Sequence, residues 1–147
     1  GLEHDPQGNL IARTDARGVN GFEDAVARAH AYRAAGSDAI FPEAMESADE
    51  FKRFRHDVDG PLVANMTEFG KSPLVPFDEL AAIGYSLVLF PVTLLRLAMK
   101  AVGEGLAEIK ANGSQRNLLG RMQTRQELYD ILGYADYEQR DKSYFGG

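Results

Sequence analysis

Short, uninterrupted apolar segments recur along the chain, and they alternate with stretches whose apolar residues return every three to four positions. Four such segments stand out, at 9–13, 38–42, 61–65 and 85–90. A continuous apolar segment is typical of a strand buried on both faces of a sheet. The stretches between them predict helices: one between Asn20 as N-cap and Gly36, one after the capping signature of Ser47 and Glu50, and two more over 76–83 and 93–112.

Four strand–helix units in succession predict a parallel α/β fold. Four units are half of a (β/α)8 barrel, which typically needs about 250 residues. We therefore expect residues 1–113 to form half of such a barrel, and 114–147, which show no strand pattern, to form a helical extension able to dock on another subunit. A small open sheet with helices on both faces is the alternative. Half a barrel would leave Leu10–Ile11 and Leu87–Leu89 as open strand edges, which predicts self-association.

Composition removes several classes of protein. The 147 residues are 44% hydrophobic and 26% charged, as in ordinary globular domains, so extensive disorder is not expected. The net charge of −6 disfavours a nucleic-acid or anionic-membrane surface. The chain contains no Cys, which excludes disulfides, thiolate metal sites and a Cys nucleophile within it. With no apolar run of 18 residues and no signal-peptide pattern, the cytoplasm is the expected compartment.

Chemically versatile side chains follow each of the four predicted strands. Arg13 ends the first strand, Glu43 follows the second, Asn65 with Thr67–Glu68 follows the third, and Arg96 lies about one turn into the helix after the fourth. The carboxyl ends of parallel strands share one edge of a sheet, here called the rim, and chemistry concentrates there. A set of cations, a carboxylate, an amide and a hydroxyl suits a small polyanion bound near a divalent metal. Surface ion pairs and turn signals are the simpler interpretations of the same residues.

Several segments together resemble one enzyme family. They are Ile-Ala-Arg-Thr-Asp-Ala at 11–16, Phe-Pro-Glu-Ala at 41–44, Ala-Asn-Met-Thr-Glu-Phe-Gly at 64–70 and Met-Gln-Thr-Arg-Gln-Glu-Leu-Tyr at 122–129. This pattern resembles the 2-methylisocitrate lyases of the isocitrate lyase/phosphoenolpyruvate mutase superfamily, over nearly the whole chain. The segments at 64–70 and 122–129 favour that family over the isocitrate lyases and the mutases.

The resemblance implies a Mg²⁺-dependent (β/α)8 barrel that cleaves 2-methylisocitrate to pyruvate and succinate in propionate breakdown, and that often forms tetramers with exchanged C-terminal helices. It also implies the substrate contacts, at Arg13, Glu43, Asn65, Thr67, Arg96 and Arg125. Among these, Arg13 and Glu43 would be catalytic, and Glu43 would approach the Mg²⁺ through water.

The chain also departs from the family pattern. In the family, the aspartates nearest the metal and a loop with a Cys before Gly-His come from the first half of the barrel. The first strand of this chain matches the family's fifth, so the resemblance covers the C-terminal half only. We expect the chain to require a complementary N-terminal half and to be inactive alone. A related isocitrate or oxaloacetate lyase or decarboxylase, or a non-catalytic half-barrel used for binding or assembly, are the alternatives.

Overall fold

The four strands form where the apolar segments predict them, and all run parallel. The structure, a computed structural model, describes residues 8–145. The strands are β1 (Ile11–Thr14), β2 (Ala39–Pro42), β3 (Val63–Asn65) and β4 (Leu87–Leu89). β1 pairs with β2 and β3 with β4, and a parallel bridge between Ile40 and Leu62 joins the two pairs. The strands therefore follow one another in chain order, and the predicted parallel α/β fold is confirmed.

The connections between the strands are helical. They contain α1 (Ala16–Val19), α2 (Phe22–Ala34), α3 (Ala48–Asp57) and α4 (Phe77–Ile83). The sequence pattern did not predict α1, and the prediction of Asn20 as the N-cap of α2 is wrong. Gly21, at φ +101°, holds that position, while the Asn20 side chain donates a hydrogen bond to Asp24 instead. A glycine fits there because its backbone readily adopts positive φ.

The predicted cap of α3 forms in part. The Ser47 hydroxyl accepts a hydrogen bond from the Glu50 N–H, as a capping residue does. The Glu50 carboxylate does not return to the Ser47 backbone, because it accepts from the Glu46 N–H and pairs with Arg17. In place of the reciprocal capping box, Glu50 thus forms an ion pair that joins α3 to α1.

One apolar core lies between the strands and these helices. Ile40 of β2, Ala64 of β3 and Leu62 directly before β3 are fully buried, and so is Phe54 from α3. Phe54 meets Phe22 edge to face, with ring centroids 6.1 Å apart, and Phe51 meets Tyr85 at 5.4 Å. Such pairs add to the stabilisation that burial of their apolar area provides. This core holds the strands in register and so fixes where their carboxyl ends lie.

The chain divides into two compact units, the first reaching Arg96 and the second starting at Leu97. The boundary falls within α5 (Thr93–Asn112), which is followed by a 3-10 helix (Arg116–Arg121), α6 (Arg125–Leu132) and α7 (Tyr134–Phe145). No strand occurs among the described residues after β4, as the sequence predicts. Between residues 97 and 145 only Leu118 is buried. None of the helices in the described part of the chain has the length and hydropathy needed to cross a membrane.

Candidate active site

Three of the predicted site residues come together at the rim. The Arg13 guanidinium lies 3.4 Å from the Glu43 carboxylate, and the Asn65 side-chain amide donates to the same oxygen, Oε2, at 3.2 Å. The parallel pairing of the strands brings these side chains together. β1 and β2 pair Thr14 with Pro42, and the Glu43 N–H extends the ladder by donating to the Thr14 carbonyl at 2.9 Å. We call these three residues the Arg13–Glu43–Asn65 cluster.

Arg13 is held firmly although its side chain is half exposed. Its guanidinium donates two hydrogen bonds to the Asp15 carboxylate, at 3.0 and 2.8 Å, and lies 5.1 Å from the centre of the Phe41 ring. The hydrogen bond with Asp15 raises the pKa of Arg13, and the same bond lowers the pKa of Asp15. The cluster thus presents a permanent cation whose direction is set by a carboxylate and an aromatic ring.

A second ion pair supports the loop that carries Glu43. Ala44, the next residue, has φ +63°, which is a costly conformation for a residue with a side chain. Close by, Arg17 of α1 forms a bidentate pair with Glu50 of α3 and contacts Glu46. The hydrogen bond from Arg17 lowers the pKa of Glu50. The loops after β1 and β2, which also carry the residues next to Arg13 and Glu43, are therefore tied together.

Arg96 belongs to a separate group. Its guanidinium contacts the Glu68 carboxylate at 2.5 Å, and the Thr93 hydroxyl donates to the other oxygen of that carboxylate. We call Glu68, Thr93 and Arg96 the Arg96 clamp. Sequence reasoning noted Glu68 as a rim residue but did not assign it to the site. The Asn-Met-Thr-Glu segment was the available signal, but only the fold brings Glu68 to a residue 28 positions away.

The remaining two predicted residues stand apart from these groups. Thr67 is half-buried beside the clamp, and no side-chain hydrogen bond within residues 8–145 joins it to the other site residues. Arg125 is the exposed first residue of α6 in the second unit, and it lies within the capping box that Thr124 and Glu127 form. Its assignment to the site therefore stays a prediction from the resemblance.

Two side-chain oxygens at the rim are of the kind that Mg²⁺ binds. The Asn65 side-chain oxygen is buried with no hydrogen-bond partner, and both described contacts of the Glu43 carboxylate fall on Oε2. Carboxylate and amide oxygens are ligands that Mg²⁺ prefers, and this ion keeps several waters. The described residues contain no group of three His, Asp or Glu side chains able to hold a metal ion. The Asn65 and Glu43 oxygens thus have the donor chemistry that one side of a hydrated Mg²⁺ would need, and the approach of Glu43 to the ion through water stays a prediction from the resemblance.

Comparison with known proteins identifies the family of the chain. The sequence model of the phosphoenolpyruvate phosphomutase family matches residues 3–110. A curated 2-methylisocitrate lyase from Aeropyrum pernix is 52% identical over 132 residues, which are 90% of this chain and 43% of that protein. One from Bacillus subtilis is 48% identical over 134 residues, 91% of this chain and 44% of that protein. The chain spans less than half the length of these relatives.

Solved structures share the fold at lower identity. A 2,3-dimethylmalate lyase, described as a PEP mutase/isocitrate lyase superfamily member, matches with a TM-score of 0.82 at 31% identity, over 92% of this chain and 48% of that one. A phosphonopyruvate hydrolase in complex with oxalate and Mg²⁺ matches with a TM-score of 0.74 at 28% identity, over 93% of this chain and 48% of that one. On the family match over 3–110 and these relatives, the chain belongs to the phosphoenolpyruvate phosphomutase family.

Proposed function

We propose that this chain supplies the substrate side of a carbon–carbon lyase that cleaves 2-methylisocitrate to pyruvate and succinate. The observation that carries the proposal is the Arg13–Glu43–Asn65 cluster at the carboxyl ends of three neighbouring parallel strands. Relatives with about half their aligned residues identical are named 2-methylisocitrate lyases, whereas the solved dimethylmalate lyase is 31% identical. This difference favours 2-methylisocitrate within the superfamily.

The proposal includes a C-terminal half-barrel over residues 1–113 and a helical extension over 114–147 that exchanges between subunits of a tetramer. Strand order supports it, because strands that follow one another in chain order are the arrangement of a barrel. Leu10 directly before β1, Ile11 in β1 and Leu87 in β4 are exposed. Within residues 8–145 neither edge strand has a second partner. A complementary N-terminal half, on the same or another polypeptide, would pair with both edges.

Charge neutralisation is the first task of the site. A tricarboxylate carries about three negative charges at neutral pH, since carboxyl pKa values lie near 4. Arg13, Arg96 and Arg125 can neutralise and orient these carboxylates, and Asn65 and Thr67 add neutral hydrogen-bonding groups. The guanidinium of Arg13 is fixed before the ligand arrives, which reduces the ordering cost of binding.

Stabilisation of developing charge is the second task. A general base, which is not assigned to any residue of this chain and would come from the complementary half, takes the proton of the substrate hydroxyl. The hydroxyl oxygen becomes the keto oxygen of pyruvate while the neighbouring C–C bond breaks. The electron pair of that bond passes to the succinate fragment and spreads into its adjacent carboxylate until a proton arrives. Arginine side chains fixed at the rim stabilise charge of this kind. When bound, Mg²⁺ would supply Lewis-acid stabilisation on the Glu43 side.

The remaining chemistry requires groups outside this chain. The chain has no Cys, and its described residues provide only part of a metal site. The resemblance implies that a Cys in the first half of the barrel protonates the succinate carbanion. This proton donor and the direct metal ligands would therefore come from the complementary half. We therefore expect the chain alone to be inactive. The assembled enzyme would act in the methylcitrate pathway of propionate breakdown.

Pyruvate release from 2-methylisocitrate with Mg²⁺ tests the proposal, using both barrel halves together and this chain alone. We expect turnover from the assembled barrel and none from the chain. Arg13→Ala should lower kcat by about 10²–10³-fold, as for other donors that meet developing charge. Arg28→Ala is the matched control, since Arg28 pairs with Asp24 at the same 2.8 Å as Arg13 with Asp15 but lies on α2. Pyruvate release by the chain alone would contradict the proposal.

A substrate panel separates the alternatives. The assembled barrel is offered 2-methylisocitrate, isocitrate, 2,3-dimethylmalate and oxaloacetate under the same conditions. A higher kcat/KM for one of the last three would identify a related superfamily activity. Carboxylate binding without turnover of any of them would identify a binding or assembly module.

A further inference from the structure

The Arg96 clamp joins two consecutive rim loops through one carboxylate. Glu68 lies three residues after β3, and Thr93 and Arg96 lie in the first turn of α5, after β4. The Thr93 hydroxyl donates to Glu68 Oε1, while Arg96 Nη1 donates to Oε2 at 2.5 Å and to the Glu68 carbonyl at 3.3 Å. Both oxygens of the Glu68 carboxylate therefore accept hydrogen bonds, whereas the Arg96 guanidinium donates from one nitrogen, Nη1.

Strained backbone lies on both sides of the clamp. Phe69 has φ +63° and Val92 has φ +62°, although neither is a glycine and Val92 is β-branched. Residues in this conformation persist only where their surroundings fix it, and they concentrate at functional sites. Phe69 is 95% exposed, yet its ring lies 5.5 Å from the Arg96 guanidinium carbon. The strained backbone at Phe69 and Val92 and the exposed Phe69 ring thus both lie next to Arg96.

The hydrogen bonds leave a specific part of Arg96 available. Within residues 8–145, the described hydrogen bonds of its guanidinium all use Nη1, so Nε and Nη2 keep their donors. These two nitrogens form the side of the guanidinium that binds a carboxylate through two parallel hydrogen bonds. An arginine fixed at Nη1 therefore presents a ready fork for an anionic ligand.

We propose that Glu68 is a positioning residue that orients Arg96, through the clamp, for a carboxylate of the ligand. This inference deepens the proposed function, because the ligand is the same small polycarboxylate. Glu68 does not act as a proton donor. The hydrogen bonds from Thr93 and Arg96 lower its pKa, so that it is ionised at neutral pH, and ionisation is what a rigid partner for a guanidinium requires.

A double-mutant cycle tests this role in the assembled barrel. Glu68→Gln keeps the shape of the side chain and removes its charge, and Arg96→Ala removes the group that it orients. The Kd for succinate by calorimetry and kcat/KM for 2-methylisocitrate are measured for both single variants and for the double variant. If Glu68 acts through Arg96, we expect Glu68→Gln to weaken succinate binding about 10–100-fold, but less than threefold in the Arg96→Ala background. Effects that multiply independently would overturn the inference, since they would mean a separate structural role.

A matched pair elsewhere in the chain provides the control. Arg53 contacts Glu23 at 2.5 Å and lies 4.3 Å from the Phe22 ring, which repeats the acid–arginine–phenylalanine arrangement away from the rim. Glu23→Gln should leave succinate binding and kcat/KM unchanged within twofold. Thr93→Val should reproduce part of the Glu68→Gln effect because it removes the hydroxyl that fixes Oε1.

The two readouts separate this inference from the proposed function. Coupled succinate binding without turnover would support the Glu68 role and refute the lyase. Turnover with independent effects of the two substitutions would support the lyase and refute the Glu68 role. Failure of the assembled barrel to bind any carboxylate would refute both.

Discussion

Replacing Glu50 by Gln tests whether the ion pair between α1 and α3 stabilises the loops beside the Arg13–Glu43–Asn65 cluster. Arg17 donates to both oxygens of Glu50 at 2.7–3.0 Å, and the Glu46 N–H donates to the same carboxylate at 2.7 Å. The Arg17 and Glu50 side chains are only 17% and 22% exposed. Solvent therefore screens this pair less than a surface ion pair.

The expected cost follows from this partial burial. An exposed ion pair contributes about 0–1 kcal/mol, whereas removing one partner of a buried pair costs about 3–5 kcal/mol. The amide of Glu50→Gln keeps one acceptor oxygen, and Arg17 keeps Glu46 at 2.8 Å, so the guanidinium is not left without a partner. We therefore expect the free energy of unfolding to fall by about 2 kcal/mol. With a urea m-value of about 1–3 kcal/mol/M, the midpoint should fall by about 1 M.

The same pair predicts a dependence on pH. Arg17 lowers the pKa of Glu50 in the folded protein. Such a carboxylate contributes stability that is present above its ordinary pKa and is lost as the pH falls through the lowered folded value. The difference in unfolding free energy between the wild type and Glu50→Gln should therefore be complete at pH 7 and shrink below the ordinary glutamate pKa of about 4.3.

Urea unfolding followed by far-UV circular dichroism, from pH 7 to pH 3.5, measures both effects. Lys52→Gln is the control, since Lys52 pairs with Asp49 at 3.4 Å on the exposed side of the same helix and should change stability by less than about 0.5 kcal/mol. A Glu50→Gln effect no larger than that of Lys52→Gln, or one that stays constant with pH, would refute the reasoning.

Two further predictions use paired substitutions. Gly84→Ala should destabilise the chain by about 1–2 kcal/mol, because Gly84 has φ +106° and a Cβ there would lie 3.3 Å from Arg55 Cδ. Gly103 lies inside α5, and a Cβ added there would meet no atom within 4 Å, so Gly103→Ala should stabilise the chain by about 0.5–1 kcal/mol. Thermal unfolding of both variants checks the opposite signs, and equal signs would contradict the account. Arg125→Ala should lower kcat/KM of the assembled barrel at least about 100-fold, as expected for a group that binds substrate charge, while Arg121→Ala, which breaks only an ion pair with Glu104, should stay within about threefold. Equal turnover by Arg125→Ala and the wild type would remove Arg125 from the site.

Sequence reasoning found the strands and the long helices because their signals are local. Each continuous apolar segment contains a strand, although only the central strands β2 and β3 are well buried, while Ile11 in β1 and Leu87 in β4 are exposed at the edges. Helix α5 begins and ends at the residues the periodicity indicates. It missed α1, whose four residues are too few to show a helical period. It placed the cap of α2 one residue early, because preference for asparagine at N-caps is weaker than the need for positive φ at Gly21.

The two groups at the rim differ in how far they could be predicted. The meeting of Arg13, Glu43 and Asn65 follows from parallel strands alone, because every such strand brings its carboxyl end to one edge. The role of Glu68 does not follow, because it depends on backbone turns at Phe69 and Val92 that their side chains disfavour. The intrinsic preference of both residues is for negative φ, so the positive φ angles arise only from the way the two loops pack together.

The shortness of the two edge strands limits which chains can join them. β1 has four residues and β4 has three, so an arriving strand can form only a few backbone hydrogen bonds with either. Backbone hydrogen bonds carry no information about side-chain identity, and a long open edge would therefore accept almost any extended chain. At these short edges, pairing with an unrelated strand is stabilised by only a few hydrogen bonds. A partner that also buries the adjoining leucine and isoleucine side chains binds with much more favourable free energy. Short edges thus disfavour amyloid-like pairing with unrelated strands and leave room for the complementary half that we propose.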